Sequence, residues 1–344
     1  MRKKIEGCLF GMALGDALGA PTEFLDYAGI QRRFGEDGIQ DLPGNPAKVT
    51  DDTQMALAVG YAIVDAPRPY SVETYEPILR KYFIDWYNDP ENNRAPGVTC
   101  LTSIEKMMDG EKTNLTWQST TNISSKGCGA NMRVQAVGLI PDDAKIRSGL
   151  AQFQSAITHA HSTALASADI TAWVIHDLAH DGDIDTLLDR CIDYARSQRQ
   201  VYHEDWLGRL HERAYMFPDA THYIAHGWDE VIEKLGKVVT ALEEFDYKAD
   251  PCVKVGASWI AEEAFATALY CFLLYPTNPT KAIRRGANSS GDSDSIACIA
   301  GAFAGAYCGI DAWDTSWLER IEYRSDLQTL ADKLTALHGE SDAI

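Results

Sequence analysis

GCLFGMALGDALG, residues 7–19, puts a glycine at every fourth position: Gly7, Gly11, Gly15 and Gly19. Residues four apart on an α-helix lie on one face, so the four form a nearly flat stripe that lets a neighbouring backbone approach closely. Glycine costs about 1 kcal/mol relative to alanine inside a helix, so four in one helix need tertiary packing to offset them. A second small-residue run, IACIAGAFAGAYCG at 296–309, has the same character. The two predict a pair of helices packed tightly in the centre of the fold.

Outward from these two segments, apolar residues keep helical spacing through most of the chain, and alternating runs of Val, Ile and Thr are scarce. The fold class is therefore all-α. Helices are expected at about 3–19, 52–66, 72–87, 99–109, 129–137, 161–180, 184–198, 227–245, 256–274, 279–287, 295–308 and 325–338, with edges good to about 2–4 residues. Gly-, Pro- and Asn-rich joints separate them, notably DLPGNPAK, YNDPENNRAPG, LIPDD and YPTNPT. None is long enough for a flexible linker, and no internal repeat or low-complexity tract occurs. The expectation is one compact helical domain over 1–344.

Fifty acidic against 31 basic residues give a formal charge of −19. That excess repels nucleic-acid backbones and anionic membrane surfaces, so neither is an expected partner. The eight cysteines form no Cys-x-x-Cys pair and several sit in apolar runs, such as Cys271 in LYCFLL and Cys298 in SIACIAG. They read as reduced, buried thiols. Glu6 and Asp16 interrupt the apolar N-terminus, which argues against a signal peptide, and no run reaches transmembrane length. A cytoplasmic location is expected.

Two acidic turns stand out. Thr50-Asp51-Asp52-Thr53-Gln54-Met55 precedes one apolar helix, and Gly291-Asp292-Ser293-Asp294-Ser295 opens the second small-residue helix. Each can be read as an ordinary N-cap with acids against the helix dipole. The second does not fit an EF-hand, because the twelfth loop position lacks a glutamate. Together the turns offer four carboxylates and two hydroxyls, a donor set for hard cations such as Mg²⁺ or Mn²⁺ rather than zinc. If their helices cross side by side, both sets meet at one end of the bundle, where four acids repel each other unless a cation is present.

GCLFGMALGDALGAPTEF, TDDTQMALAVG and GDSDSIACIAGAFAGAYCG, in this order, resemble the ADP-ribosylglycohydrolase family. Between them, SSKGCGANMRVQAVGL resembles the family's SxGNGAxMR loop, ITHAHSTA its Thr-His segment, and WIAEEAFATALYCFL the helix before the second acidic turn. The resemblance spans nearly the whole chain. It implies an orthogonal helical bundle and two divalent cations, Mg²⁺ or Mn²⁺, held by Thr50, Asp51 and Asp52 on one side and Asp292, Asp294 and Ser295 on the other. It implies that Glu23 lies beside the metals and that Gly127, Cys128, Gly129, Ala130 and Met132 form the loop that cradles the diphosphate. It places His159 near the ribose or phosphate. Glu23 is the expected proton carrier, with Asp51 and Asp292 as alternates that also ligate.

The implied activity is hydrolysis of ADP-ribosyl linkages on a modified protein or a small molecule, counteracting an ADP-ribosyltransferase. Arginine N-glycosides rank first; serine or small-molecule O-linkages, and a non-catalytic ADP-ribose binder, are the alternatives. Several positions depart from the family pattern. Cys128 stands where the loop commonly has asparagine, Ser290 where a glycine precedes Gly291, and Ser295 where threonine is usual, while APGVTC at 95–100 lacks the Asp and Asn of some arginine-specific members. The segment 199–250 holds Tyr202, His203, Trp206, Tyr223 and Trp228 but matches no family motif. It lines the cleft mouth or packs beneath an insertion.

Overall fold

The computed structural model describes residues 1–113 and 115–341. Eleven of its helices organise the molecule: α1 (Arg2–Gly19), α2 (Asp51–Asp65), α3 (Val72–Asn88), α4 (Val98–Thr113), α5 (Ala144–Ala156), α6 (Ser162–Ala179), α7 (Ala220–Glu243), α8 (Ala261–Leu274), α9 (Pro279–Ala287), α10 (Ser293–Cys308) and α11 (Arg324–Ser341). Tyr27–Phe34, Leu187–Gln198 and shorter helical turns join them, and among the described residues the only β pairing is three isolated bridges. The all-α class read from the sequence is the class observed.

α1 and α10 lie against each other along most of their length at the centre. A Cβ on Gly11 would meet the carbonyl of Gly301, one on Gly15 the carbonyl of Ala297, and one on Gly305 the carbonyl of Gly7. The glycine stripe is thus required by close backbone approach, which lets each helix bury nearly all of its surface. Met12, Leu14 and Leu18 from α1, and Ile296, Ile299 and Phe303 from α10, are fully buried. At about 1.5–3 kcal/mol per large apolar side chain, such burial outweighs the roughly 1 kcal/mol lost at each glycine. The indole of Trp313 closes one end of the pair by donating to the carbonyl of Gly7 at 3.1 Å. α6, α8 and α9 pack around α10, while α2 packs against α3 and α11.

Most expected helices are present with shifted ends. Three expectations need correction. The helix expected at 129–137 is instead a 3₁₀ turn at Cys128–Ala130 and a single α-turn at Gln135–Gly138. Here side chains pin the chain to other elements: Asn131 donates to Ala261 and accepts from Thr171, and the buried Arg133 binds Gln154 and Thr158. The helix expected from 256 begins only at Ala261, because the backbone carbonyl of Ala257 accepts from the amide of Asp292 and Ser258 has φ 70°. The helix expected from 227 already starts at Ala220, capped by the Asp219 side chain on the His222 amide.

Of the described helices with eight or more residues, two escaped the periodicity altogether, α5 and Tyr27–Phe34. α5 buries Ser148, Gln152, Gln154 and Ser155 among its core positions, so polar residues occupy the face that the hydrophobic pattern should mark. Among the described residues no helix is long and apolar enough to cross a membrane.

Candidate functional site

The N-termini of α2 and α10 open at the same end of the central pair, and this brings the two acidic turns together. Asp16, fully buried on α1, sets the geometry. Its carboxylate accepts from the Thr50 amide through both oxygens at 3.0 Å, from the Thr50 hydroxyl at 2.8 Å, from the Thr53 amide at 3.1 Å and from the Thr53 hydroxyl at 2.5 Å. One side chain therefore satisfies donors that the first turn of α2 would otherwise leave unpaired. Asp16 was not among the residues expected in the site. Its signal was legible as an acid inside an otherwise apolar and glycine-lined helix.

Asp51 and Asp52 follow as the first two residues of α2, both almost fully buried. Asp51 accepts from the amide of Gly97 at 3.2 Å, and Asp52 accepts from the Ser295 hydroxyl at 2.9 Å. The second contact joins the two acidic turns directly. On the α10 side, Gly291 permits the entry, since a Cβ there would run into the carbonyl of Ala257. The turn then presents Asp292 and Asp294. Glu23, half-buried after α1, brings its carboxylate to within 4.8 Å of those of Asp292 and Asp294.

Six carboxyls in one buried region raise one another. Burial and the charge of Asp294 push Asp16 up to about 7 and Asp51 up to about 8. Glu23 is pushed up to about 10 by burial and by Asp294, Asp292 and Asp51. Burial also raises Asp52, Asp292 and Asp294, with mutual repulsion adding to the first two. No lysine or arginine makes an ion pair with any of the six among the described residues. A buried group of acids without a neutralising partner is the electrostatic situation that a bound cation relieves, and the donors are all oxygen. The residues present fit such a cation.

Glu23, Asp51, Asp52, Asp292 and Asp294 form one wall of a cleft of about 350 Å³, with Asp16 buried behind them. Gly127, Cys128, Gly129, Met132 and His159 line it as well, as does the segment 95–99. Two expected residues stand back from it. Thr50 is committed to Asp16 and to capping the Asp52 amide, and Ala130 is fully buried with its carbonyl bound by Gln154 at 2.9 Å. His159 packs under the glycine loop: its Nδ1 pairs with the Thr158 hydroxyl at 2.9 Å, and burial with the nearby Arg133 lowers it to about 3, so the ring is neutral. The Cys128 thiol donates to Asp292 Oδ2 at 2.7 Å. Burial and the charge of Asp292 raise it well above the usual thiol range, so it remains a donor rather than a thiolate.

Sequence reasoning missed an aromatic pair at the rim. Phe24 and Trp259 stack with ring centroids 6.0 Å apart and planes 19° apart, although they are 71% and 45% exposed. Both line the cleft. Trp259 is held by backbone pairing of its neighbours to the glycine loop: the Cys128 amide donates to the carbonyl of Trp259, and the Ala261 amide to the carbonyl of Lys126. The segment 199–250, by contrast, contributes no residue to the cleft. Trp206, Tyr223 and Trp228 are buried, and Trp206 lies directly over Gly149 of α5. Packing explains these rings.

The sequence model of ADP-ribosylglycohydrolase matches residues 1–343. The chain belongs to the ADP-ribosylglycohydrolase family. Among its relatives, ADP-ribosylhydrolase ARH3 of Bos taurus is 26% identical over 360 residues, covering 96% of this chain and 92% of the relative. An uncharacterised protein of Archaeoglobus fulgidus is 27% identical with 98% of both chains covered. ADP-ribosylarginine hydrolase Tri1 of Pseudomonas putida is 24% identical over 96% of this chain and 77% of its own length. A solved structure described as an ADP-ribosylglycohydrolase-related protein complex superposes with a TM-score of 0.67 at 20% identity, covering 98% of each chain, and so shares the fold.

Proposed function

We propose that this ADP-ribosylglycohydrolase family member is a divalent-cation-dependent hydrolase that releases ADP-ribose from a modified protein side chain, with arginine as the first candidate. The observation that carries the reading is the convergence of Glu23, Asp292 and Asp294 within 4.8 Å beside Asp51 and Asp52, in a cleft that also contains the glycine loop. Asp51 and Asp52, with Asp292, Asp294 and Ser295, would hold the cations; the Thr50 hydroxyl donates its proton to Asp16 and would contribute through a remaining oxygen lone pair. Once bound, Mg²⁺ or Mn²⁺ would supply electrostatic stabilisation and orientation of the ribose hydroxyls.

The chain's own residues have the remaining work. Gly127, Cys128, Gly129 and Met132 form a floor for the diphosphate, where glycines allow close approach of an anion to the backbone. Neutral His159 supports that floor from below. The rings of Phe24 and Trp259 offer faces on which a base can stack. Cleavage of the glycosidic bond passes through an oxocarbenium-like state: water adds to the anomeric carbon, the bond to the side-chain nitrogen breaks, and one proton passes from water to the departing nitrogen. Glu23 is the carboxyl with solvent access among the acids and carries that proton.

Tri1, named as an ADP-ribosylarginine hydrolase, supports arginine as the first candidate, while Cys128 in place of the family's asparagine keeps O-linked ADP-ribose as the second reading. Product analysis tests the proposal. Arginine- and serine-ADP-ribosylated proteins are incubated with the enzyme and Mg²⁺, and released nucleotides are separated by chromatography. Free ADP-ribose from either substrate supports a glycohydrolase and selects the linkage. AMP would identify attack on the diphosphate, and binding without product would identify a binding module; both overturn the proposal.

A further inference from the structure

A second groove of about 370 Å³ lies between α9, Tyr27–Phe34 and residues 247–248. Arg285 lines this groove yet is only 7% exposed, and its Nε and Nη2 are buried without a hydrogen-bond partner. Among the described residues it makes no ion pair. The Tyr270 hydroxyl, within electrostatic reach of Arg285, is also buried without a partner. A buried guanidinium with neither carboxylate nor carbonyl is costly unless something from solution completes it.

The surroundings favour an anion. Lys248, Lys281 and Arg284 line the groove with Arg285, against Glu36 and Asp37, a local cation excess in a chain of net charge −19. Arg284 is fixed there by donating to the Gln40 carbonyl at 2.8 Å and by lying over the Trp317 ring. Lys281 sits over the Tyr275 ring, 5.7 Å from its centroid, and no carboxylate pairs with Lys248 or Lys281 among the described residues. Tyr275 and Tyr247 stand 5.4 Å apart and give the groove an aromatic wall.

We propose that this groove binds a phosphate-bearing small molecule, with Arg285 as its buried anchor, Lys248 and Lys281 as exposed counter-charges, and the tyrosines against the organic group. The planar fork of arginine suits a phosphate, and an aromatic wall suits a flat substituent. The site is separate from the acidic cleft, and the proposal does not depend on the reaction assigned there.

Isothermal titration of the full chain with inorganic phosphate and with phenyl phosphate, at constant ionic strength with chloride as background, tests it. Both probes are expected to bind, phenyl phosphate more tightly because its ring meets the tyrosine wall; equal affinity would overturn the role of the tyrosines and leave inorganic phosphate as the occupant. Lys248→Ala combined with Lys281→Ala, two exposed positions, should weaken both by about tenfold or more, as loss of charge-assisted hydrogen bonds does. Arg285→Gln should abolish binding, while Asp292→Ala should leave it unchanged. Absence of binding above the chloride background, or equal affinity in the double lysine variant and the wild type, would overturn the proposal.

Discussion

The Thr53 hydroxyl donates to Asp16 Oδ2 at 2.5 Å, so a side chain in the glycine-striped first helix holds the start of the helix that carries Asp51 and Asp52. Central packing and the acidic cleft are thereby one structure: α1 fixes α10 by close contact and α2 by hydrogen bonds to Asp16. Asp16→Ala should cost about 2–4 kcal/mol, because losing this one acceptor leaves several buried donors unpaired. Denaturant unfolding measures this loss, and titration of the folded variant with Mg²⁺ should show weaker binding than wild type although Asp16 is not itself a proposed ligand.

The raised carboxyls predict how stability depends on pH without metal. Asp16 at about 7, Asp51 at about 8 and Glu23 at about 10 all lie above the roughly 4 of an unfolded carboxyl. Between those limits the folded state binds more protons than the unfolded state, so stability falls as pH rises. In chelator, the melting temperature should fall from pH 5 to pH 8.5. Mg²⁺ should reverse the trend by stabilising the protein more at pH 8.5 than at pH 5. A chelated protein equally stable at both values would contradict the electrostatics described for the cleft.

Glu23→Gln keeps the shape of the side chain and removes its proton chemistry. Turnover should fall by at least about 100-fold, the typical effect of losing acid–base catalysis, while Mg²⁺ affinity stays within a few-fold of wild type. Steady-state kinetics with a parallel metal titration separate the two effects, and unchanged turnover would remove Glu23 from the reaction.

Trp259→Ala tests the rim. Trp259 is 45% exposed, so its removal should leave the melting temperature close to that of wild type. Base stacking on an aromatic side chain contributes about 1–3 kcal/mol, so KM should rise by roughly tenfold or more with a smaller change in kcat. An unaffected KM would exclude Trp259 from substrate contact.

The fold class, the α1–α10 pair and the acidic turns were legible because each rests on local pattern: period-four glycines, helical apolar spacing, and acids beside a helix start. α5 was not legible, because Gln152 and Gln154 occupy its buried face. The turn at 128–138 was not, because Arg133 and Asn131 hold it through partners more than 20 residues away. The role of Asp16, which the sequence marks only as an acid in an apolar helix, and the Phe24–Trp259 stack share that origin. Each gains its meaning from a long-range contact: Asp16 bonds residues 34 and 37 positions away, and Phe24 and Trp259 meet only once the helices pack. The sequence also left open what the rings of 199–250 do: burial assigns Trp206, Tyr223 and Trp228 to packing, while Tyr247 is half exposed and lines the second groove.

The most direct test of the cleft is the rate of free ADP-ribose release from an arginine-ADP-ribosylated protein, measured for wild type and Asp292→Ala in Mg²⁺ and in excess chelator. Release is expected from wild type in Mg²⁺ alone, with both the chelator and the substitution reducing it to background. Release that persists in chelator or in Asp292→Ala would contradict a cation-dependent reaction at the paired acidic turns.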